Sequence, residues 1–284
     1  MVGRFIGGIY MIELTSTVIR MFPIGETSLP PTMGHYGHAA FFAMIKVVDP
    51  NLAGKLHGIP GAKPFTVSPL QGKFRSDRKN KKLILSPENE YWMRFTLMSG
   101  EIYEALTKFF LSTNEMEIRL GEVNFKVTNV ITSGADPWSG YTSYEKLMES
   151  GGTSRKFPME FRSPTAFRGQ GAGGTFTQAL PLPNLCFNSW LRKWNEFSPI
   201  PMDVDLVRAA IQNLVVAEYR IQTQMMQFPT GKQVGFEGRV KFEVKWGVSE
   251  EAVRLLNVLA NFAFYCGTGY KTTMGMGQTR RCER

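Results

Sequence analysis

Cysteine and histidine are scarce in this chain, and their spacing excludes more than their number does. The three cysteines, Cys186, Cys266 and Cys282, form no C-x-x-C pair and leave one unmatched. That pattern fits reduced thiols in a cytoplasmic protein, not a disulfide framework. The three histidines, His35, His38 and His57, combine with no cysteine at a metal-ligand spacing, so neither a metal nor another cofactor is expected. No apolar run reaches the roughly 20 residues of a membrane span, so no membrane partner is expected either. The opening "MVGRFIGGIYMIEL" carries one arginine and a short, glycine-broken apolar stretch, which makes a poor signal peptide. Regular structure begins near Met11, which reads as the natural start. Acidic charge is also in short supply. The 24 Asp and Glu residues face 33 Lys and Arg, a net charge of +9, which favours a polyanionic partner.

What is present suffices for full cores. Of 284 residues 43% are hydrophobic and 21 are phenylalanine, enough for one large domain or two of ordinary size. The most conspicuous stretch is "CGTGYKTTMGMGQTRR" (Cys266 to Arg281), with four glycines in eleven residues. A Walker loop is excluded. Tyr270 separates Gly269 from Lys271, and no helix-forming stretch follows the glycines. Two readings remain: a loop whose bare backbone N–H groups approach phosphate beside cations, or a glycine-rich turn between a helix and a last strand.

In the first half, "MIELTSTVIR" alternates as a strand, with Ile12, Leu14 and Val18 opposite Glu13, Thr15 and Thr17. "GHAAFFAMIKVV" has helical spacing, and Pro50 opens a second short helix running to His57. "FTVSPL" reads as a strand, and "KKLILSPENEYWMRFTLM" as a hairpin closed by its Ser-Pro-Glu-Asn turn. An amphipathic helix, "GEIYEALTKFFLS", and extended chain around Gly121 complete the half. This order, strand–helix–strand–strand–helix–strand, is the ferredoxin-like unit, whose open sheet face serves RNA-recognition modules.

The second half reads the same way. "KFPMEFRSPTAFR" is extended, and "PNLCFNSWLRKWNEF" and "VDLVRAAIQNLVVAEY" are helices. "FEGRVKFEVKW" alternates Val240, Phe242, Val244 and Trp246 against charged residues. Ser249 caps a last helix with Glu250 and Glu251 in its first turn. The fold class is therefore α+β: two tandem ferredoxin-like domains, residues 11–132 and 157–284, joined by a Gly/Ser/Asp-rich linker, 133–156, and ending in the glycine-rich loop.

The loop, its place after the final helix, and the duplicated order resemble the RAMP superfamily of CRISPR-associated proteins. The signature there is a G-x-G followed by a second G-x-G, here Gly267-Thr268-Gly269 and Gly275-Met276-Gly277. "FRSPTAFR", "PLPNLCFNSWLRKWN" and the run "GHAAFFAMIKVVDPNLAGKLHGIPGAKPFTVSPL" are similar to stretches of the endoribonuclease that cuts the repeat transcript to release guide RNAs. The resemblance covers nearly everything from Met11 to Arg281.

It implies metal-independent cleavage, with the 2′-hydroxyl attacking its own phosphate to leave a 2′,3′-cyclic phosphate and a 5′-hydroxyl. Such a reaction needs a proton acceptor, a proton donor and positive charge. The resemblance puts a catalytic histidine at His57, in "KLHGIPGAKPF", and a lysine at Lys63. Where some members have a tyrosine on the first helix this chain has Phe42, so His57 acts alone or draws on His38. His35 and His38 each have a structural reading as well. The RNA-binding residues implied are Gly267, Gly269, Lys271, Gly275 and Gly277 in the loop, with Arg280, Arg281, Arg162 and Arg168 beside it. The run "KFRSDRKNKK" either grips RNA phosphates or is a solvated hairpin. Trp190, Trp194 and Phe197 sit at helical spacing and read as core.

The partner implied is CRISPR repeat RNA, the precursor of guide RNA. Other CRISPR effector subunits and a second copy of the chain are further candidates. The rival function is a catalytically silent RNA-binding subunit of a CRISPR surveillance complex. An unrelated RRM-like protein is disfavoured, because the RNP aromatic pattern is absent.

Overall fold

The computed structural model describes residues 13–112, 116–229 and 231–282. Met11 and Ile12, where the sequence starts the first strand, lie outside them. The first half runs β1 (Leu14–Pro23), β2 (Thr27–Leu29), α1 (Gly34–Val48), α2 (Pro50–Gly58), β3 (Phe65–Val67), β4 (Gln71–Gly72), β5 (Arg75–Asp77), β6 (Lys82–Leu85), β7 (Tyr91–Leu97), α3 (Gly100–Leu111), β8 (Glu117–Leu120) and β9 (Val123–Ile131). Its main sheet has the order β3-β7-β1-β9-β8, and α1 and α3 share a core with one face. Asp49 caps α2, accepting a hydrogen bond from Leu52 N at 2.9 Å, with Pro50 in the first turn.

The second half runs β10 (Gly140–Thr142), α4 (Tyr144–Glu149), β11 (Lys156–Thr165), β12 (Phe167–Gly171), β13 (Gly174–Gln178), α5 (Pro183–Phe197), α6 (Val204–Ile211), β14 (Leu214–Phe228), β15 (Gly231–Val244), α7 (Glu250–Cys266), a 3₁₀ turn (Thr272–Met274) and β16 (Thr279–Arg281). The order β14-β15-β11-β16 repeats the ferredoxin-like arrangement of the β3-β7-β1-β9 strands. The architecture is α+β, a tandem of two such units. Ser249 caps α7 through Ala252 N at 3.3 Å, as its sequence position requires. Trp190 and Trp194 are fully buried and Phe197 packs on the same core.

Several sequence expectations are corrected. β6 does not form a hairpin with β7; it pairs with β2 and β5 in a separate small sheet, while β7 lies between β1 and β3. The reason is burial. All but one residue of β7 is buried, so it takes a central position, whereas β6 opens on an exposed lysine and takes an outer layer. The helix read over 204–219 ends at Ile211, and the chain from Leu214 pairs with β15 through Phe228. Local helix propensity yields there to a long hairpin partner. Trp246 lies past the end of β15 and is 86% exposed.

The segment read as a linker is structured. β10 pairs with β1, and α4 packs Tyr144 and Leu147 into the second core. The open face of the first sheet is not open either. Ser16 and Thr96, paired on that face, are both buried, and Thr96 Oγ1 donates to Tyr265 O of α7 at 2.5 Å. The C-terminal end of α7 occupies the face an RNA-recognition module leaves free. Among the described residues no helix is long and apolar enough to cross a membrane.

Candidate active site

α7 ends at Cys266 with Gly267 capping it, and the glycine-rich chain then folds back between the two domains. Gly269 (φ 77°) and Gly277 (φ 73°) hold left-handed conformations that side chains strain to adopt. A Cβ on Gly277 would meet Thr268 O at 2.1 Å, and one on Gly269 would meet Ala166 O at 2.3 Å. The N–H groups of this segment are used internally. Thr268 N donates to Gly277 O, Tyr270 N to Ala166 O and Gly277 N to Pro164 O, and Gly269 N donates to Ser189 Oγ at 3.0 Å. The expected phosphate cradle of bare N–H groups at Gly267, Gly269 and Gly277 is therefore corrected: these glycines let the chain approach itself. Gly275 lies against Gly34, the first residue of α1. Gly277→Ala should lower stability by at least about 2 kcal/mol, since it adds a clash to a strained φ. A thermal melt matching wild type would contradict this account.

Three buried side chains hold the loop: Trp190, which the sequence reads as core, and Lys193 and Arg94, which it did not single out. Lys193 Nζ donates to Cys266 O at 2.7 Å and Gly267 O at 3.2 Å, closing the C-terminus of α7. Burial pulls its pKa down to about 8. Arg94, from the centre of β7, donates to Ser16 Oγ, Trp138 O, Gln278 Oε1 and Phe264 O, tying the first sheet to α7 and the loop. Burial lowers its pKa to about 9. Trp190 Nε1 donates to Thr268 Oγ1 at 2.8 Å. A charge inside an apolar stripe was the available signal: "YWMRFTL" for Arg94, "WLRKW" for Lys193.

The loop's 3₁₀ turn reaches α1. His38 Nδ1 lies 3.0 Å from Thr273 O. A carbonyl only accepts, so Nδ1 carries the proton in the neutral ring and Nε2 keeps its lone pair. The His38 ring meets Phe42 edge-on at 4.9 Å, and Phe42 meets His57 edge-on at 5.8 Å. Phe42 thus stands between two imidazoles from consecutive helices. His38 is half-buried, and His57 is exposed near the end of α2. Burial lowers the pKa of His38; the Thr273 hydrogen bond opposes this, and the charges of Lys63 and His57 add to it. The His35 ring packs on that of Tyr36 with centroids 4.0 Å apart.

Lys63 is placed otherwise than expected. Its Nζ donates to Leu56 O at 2.6 Å, His57 O at 2.9 Å and Ile59 O at 3.0 Å. An ammonium has three N–H donors, and all three close the C-terminus of α2 beneath His57. Arg280 and Arg281 are likewise engaged. Arg280 pairs with Glu160 at 2.7 Å and lies over Trp138, and Arg281 donates to Asn257 and Asn261. Arg162 and Arg168 are exposed, Arg162 in a groove of about 720 Å³ between the domains. Lys271 lies 3.8 Å over the ring of Phe228. The run Lys73–Lys82 forms the exposed β5–β6 hairpin. Among the described residues, no three His, Cys, Asp or Glu side chains converge as a metal-binding group.

Two family models match the chain in tandem: the Cas6 N-terminal domain over residues 14–149 and the CRISPR-associated endoribonuclease Cas6 over residues 159–279. This chain belongs to the Cas6 family of CRISPR-associated endoribonucleases. A Cas6 endoribonuclease from Streptococcus thermophilus is 24% identical over 209 residues, covering 72% of this chain and 79% of that protein. One from Mycobacterium tuberculosis is 26% identical over 155 residues, covering 54% of this chain and 48% of that protein. Among solved structures, a Cas6 product complex from Thermus thermophilus superimposes with a TM-score of 0.81 at 28% identity, covering 95% of this chain and all of that one. A second Cas6 product complex gives 0.75 at 26% identity, covering 95% of this chain and 99% of its own. The Cas6 likeness thus spans both domains and the loop between them.

Proposed function

We propose that the chain binds CRISPR repeat RNA and cuts it without a metal ion, releasing guide RNAs. The observation that carries this reading is the histidine pair on either side of Phe42, anchored to the glycine loop through Thr273. His38, kept neutral by burial and with Nε2 left as the acceptor, takes the proton of the 2′-hydroxyl. The new 2′-O–P bond forms as the P–O5′ bond breaks, and His57 supplies the proton to the departing 5′-oxygen. The products are a 2′,3′-cyclic phosphate and a 5′-hydroxyl. Lys63 is a positioning residue, fixing the turn that carries His57. Phe42 offers no proton and serves as the hydrophobic wall between the two imidazoles. Arg162 and Arg168, both exposed, meet phosphate, and the β5–β6 hairpin adds positive charge along the RNA path.

The experiment is incubation of the pure protein with the transcript of its own repeat in excess chelator. Cleavage should proceed at the rate seen with magnesium and give the cyclic phosphate end. A strict need for magnesium would refute the chemistry. Tight binding with no cutting under any condition would favour the silent-subunit reading.

A further inference from the structure

A second cleft opens on the helical side of the C-terminal domain, away from the groove between the domains. It lies between α5, α6, the start of β12 and residues 269–270 of the loop, with a volume of about 1020 Å³. We propose that this cleft is a subsite for unpaired RNA flanking the cleaved bond. The inference rests on the reading of the chain as a repeat-RNA nuclease.

Position is the first argument. Tyr270 lines the cleft, and Thr273, three residues on, anchors His38. Three residues span at most ~10 Å, so RNA leaving the histidine pair along the loop reaches the cleft within a few nucleotides. Lys271 and Arg168 mark that path. Lys271 Nζ lies 5.6 Å and Arg168 Cζ 5.9 Å from the Tyr270 ring centre.

Chemistry is the second argument. The charged residues lining the cleft are Arg168, Arg192, Arg208 and Glu196, and Glu196 is paired with Arg192 at 3.3 Å. Among the described residues Arg208 has no ion-pair partner, although it stands exposed on α6. Apolar walls alternate with these cations, and Tyr270 offers a ring face. Flat apolar surfaces beside cations suit stacked bases and their phosphates, without requiring a particular base sequence. The volume lies at the upper end of the roughly 300–1,000 Å³ range of small-molecule pockets, leaving room for more than one nucleotide.

The test measures affinity for repeat RNA made uncleavable by a 2′-deoxy substitution at the scissile nucleotide. The full repeat is compared with versions trimmed on one side or the other of that bond. Trimming one flank should weaken wild-type binding about tenfold, the scale of losing one stacked base. Arg208→Glu should weaken binding of the full repeat comparably yet bind that trimmed RNA as wild type does. A 4-thiouridine in the same flank should crosslink to the peptide carrying Phe167 or Tyr270. Equal losses on full and trimmed RNA, no loss in Arg208→Glu, or crosslinks elsewhere would overturn the subsite. An acidic peptide competing for the arginines, with RNA affinity insensitive to either flank, would overturn it too. If wild type neither binds nor cuts its repeat, the nuclease reading fails instead. Normal cutting without flank coupling defeats the subsite alone.

Discussion

Replacing His57 with alanine is expected to slow single-turnover cleavage of the repeat by about 10²–10⁴-fold, the usual contribution of a group that moves a proton in the transition state. Affinity for the uncut repeat should barely change, because one exposed imidazole contributes little to holding a polyanion. His38→Ala should be impaired on the same scale, and it carries a second signature. Burial holds the His38 pKa below its ordinary value of about 6.5, so the neutral, proton-accepting ring persists into mildly acidic solution. The wild-type rate should therefore fall only as pH drops through that lowered value, and His38→Ala should lose this acid limb. If His57→Ala is dead and His38→Ala cuts at full rate, His38 is structural and another group accepts the proton. Two fully active variants would end the case for histidine catalysis. Lys63→Met should lower the rate through the His57 turn, and its loss should be smaller in the His57→Ala background than in wild type.

Cleavage should disappear when the 2′-hydroxyl of the scissile nucleotide is replaced by hydrogen. The nucleophile in the proposed reaction belongs to the RNA, so no side chain can substitute for it. Binding of the deoxy substrate should stay within about twofold of the ribose form, since one hydroxyl is a small part of a contact dominated by phosphates. The measurement is a gel-based cleavage assay beside a filter-binding titration. A cut deoxy substrate would mean that water or a protein group attacks phosphorus.

Much of the fold was legible because its signals are local. Alternation in β15, the Ser249 cap and the Pro50 helix start each act within a few residues. The misread elements depend on partners distant in sequence. β14 reads as the continuation of a helix until β15 is available to pair with it, and β6 resembles a hairpin arm until β2 and β5 claim it. The candidate site divides in the same way. His57 and Lys63 came with a resemblance carried by neighbouring residues. That Lys63 spends its three donors on α2, or that the glycines face their own chain, depends on contacts no spacing reveals. Arg94 and Lys193 gave a sequence signal, a charge within an apolar stripe, but their acceptors lie 44 to 184 residues away.

The Thr273–His38 hydrogen bond joins residues 235 positions apart. Ribosomes deliver chains from the N-terminus at about 5–20 residues per second, so His38 emerges on the order of tens of seconds before the carbonyl that orients it. During that interval the imidazole lacks its anchor. In the proposed reaction, nuclease activity is thereby tied to completion of the second domain, and a translation product interrupted before the loop would carry both histidines without the means to align them on RNA.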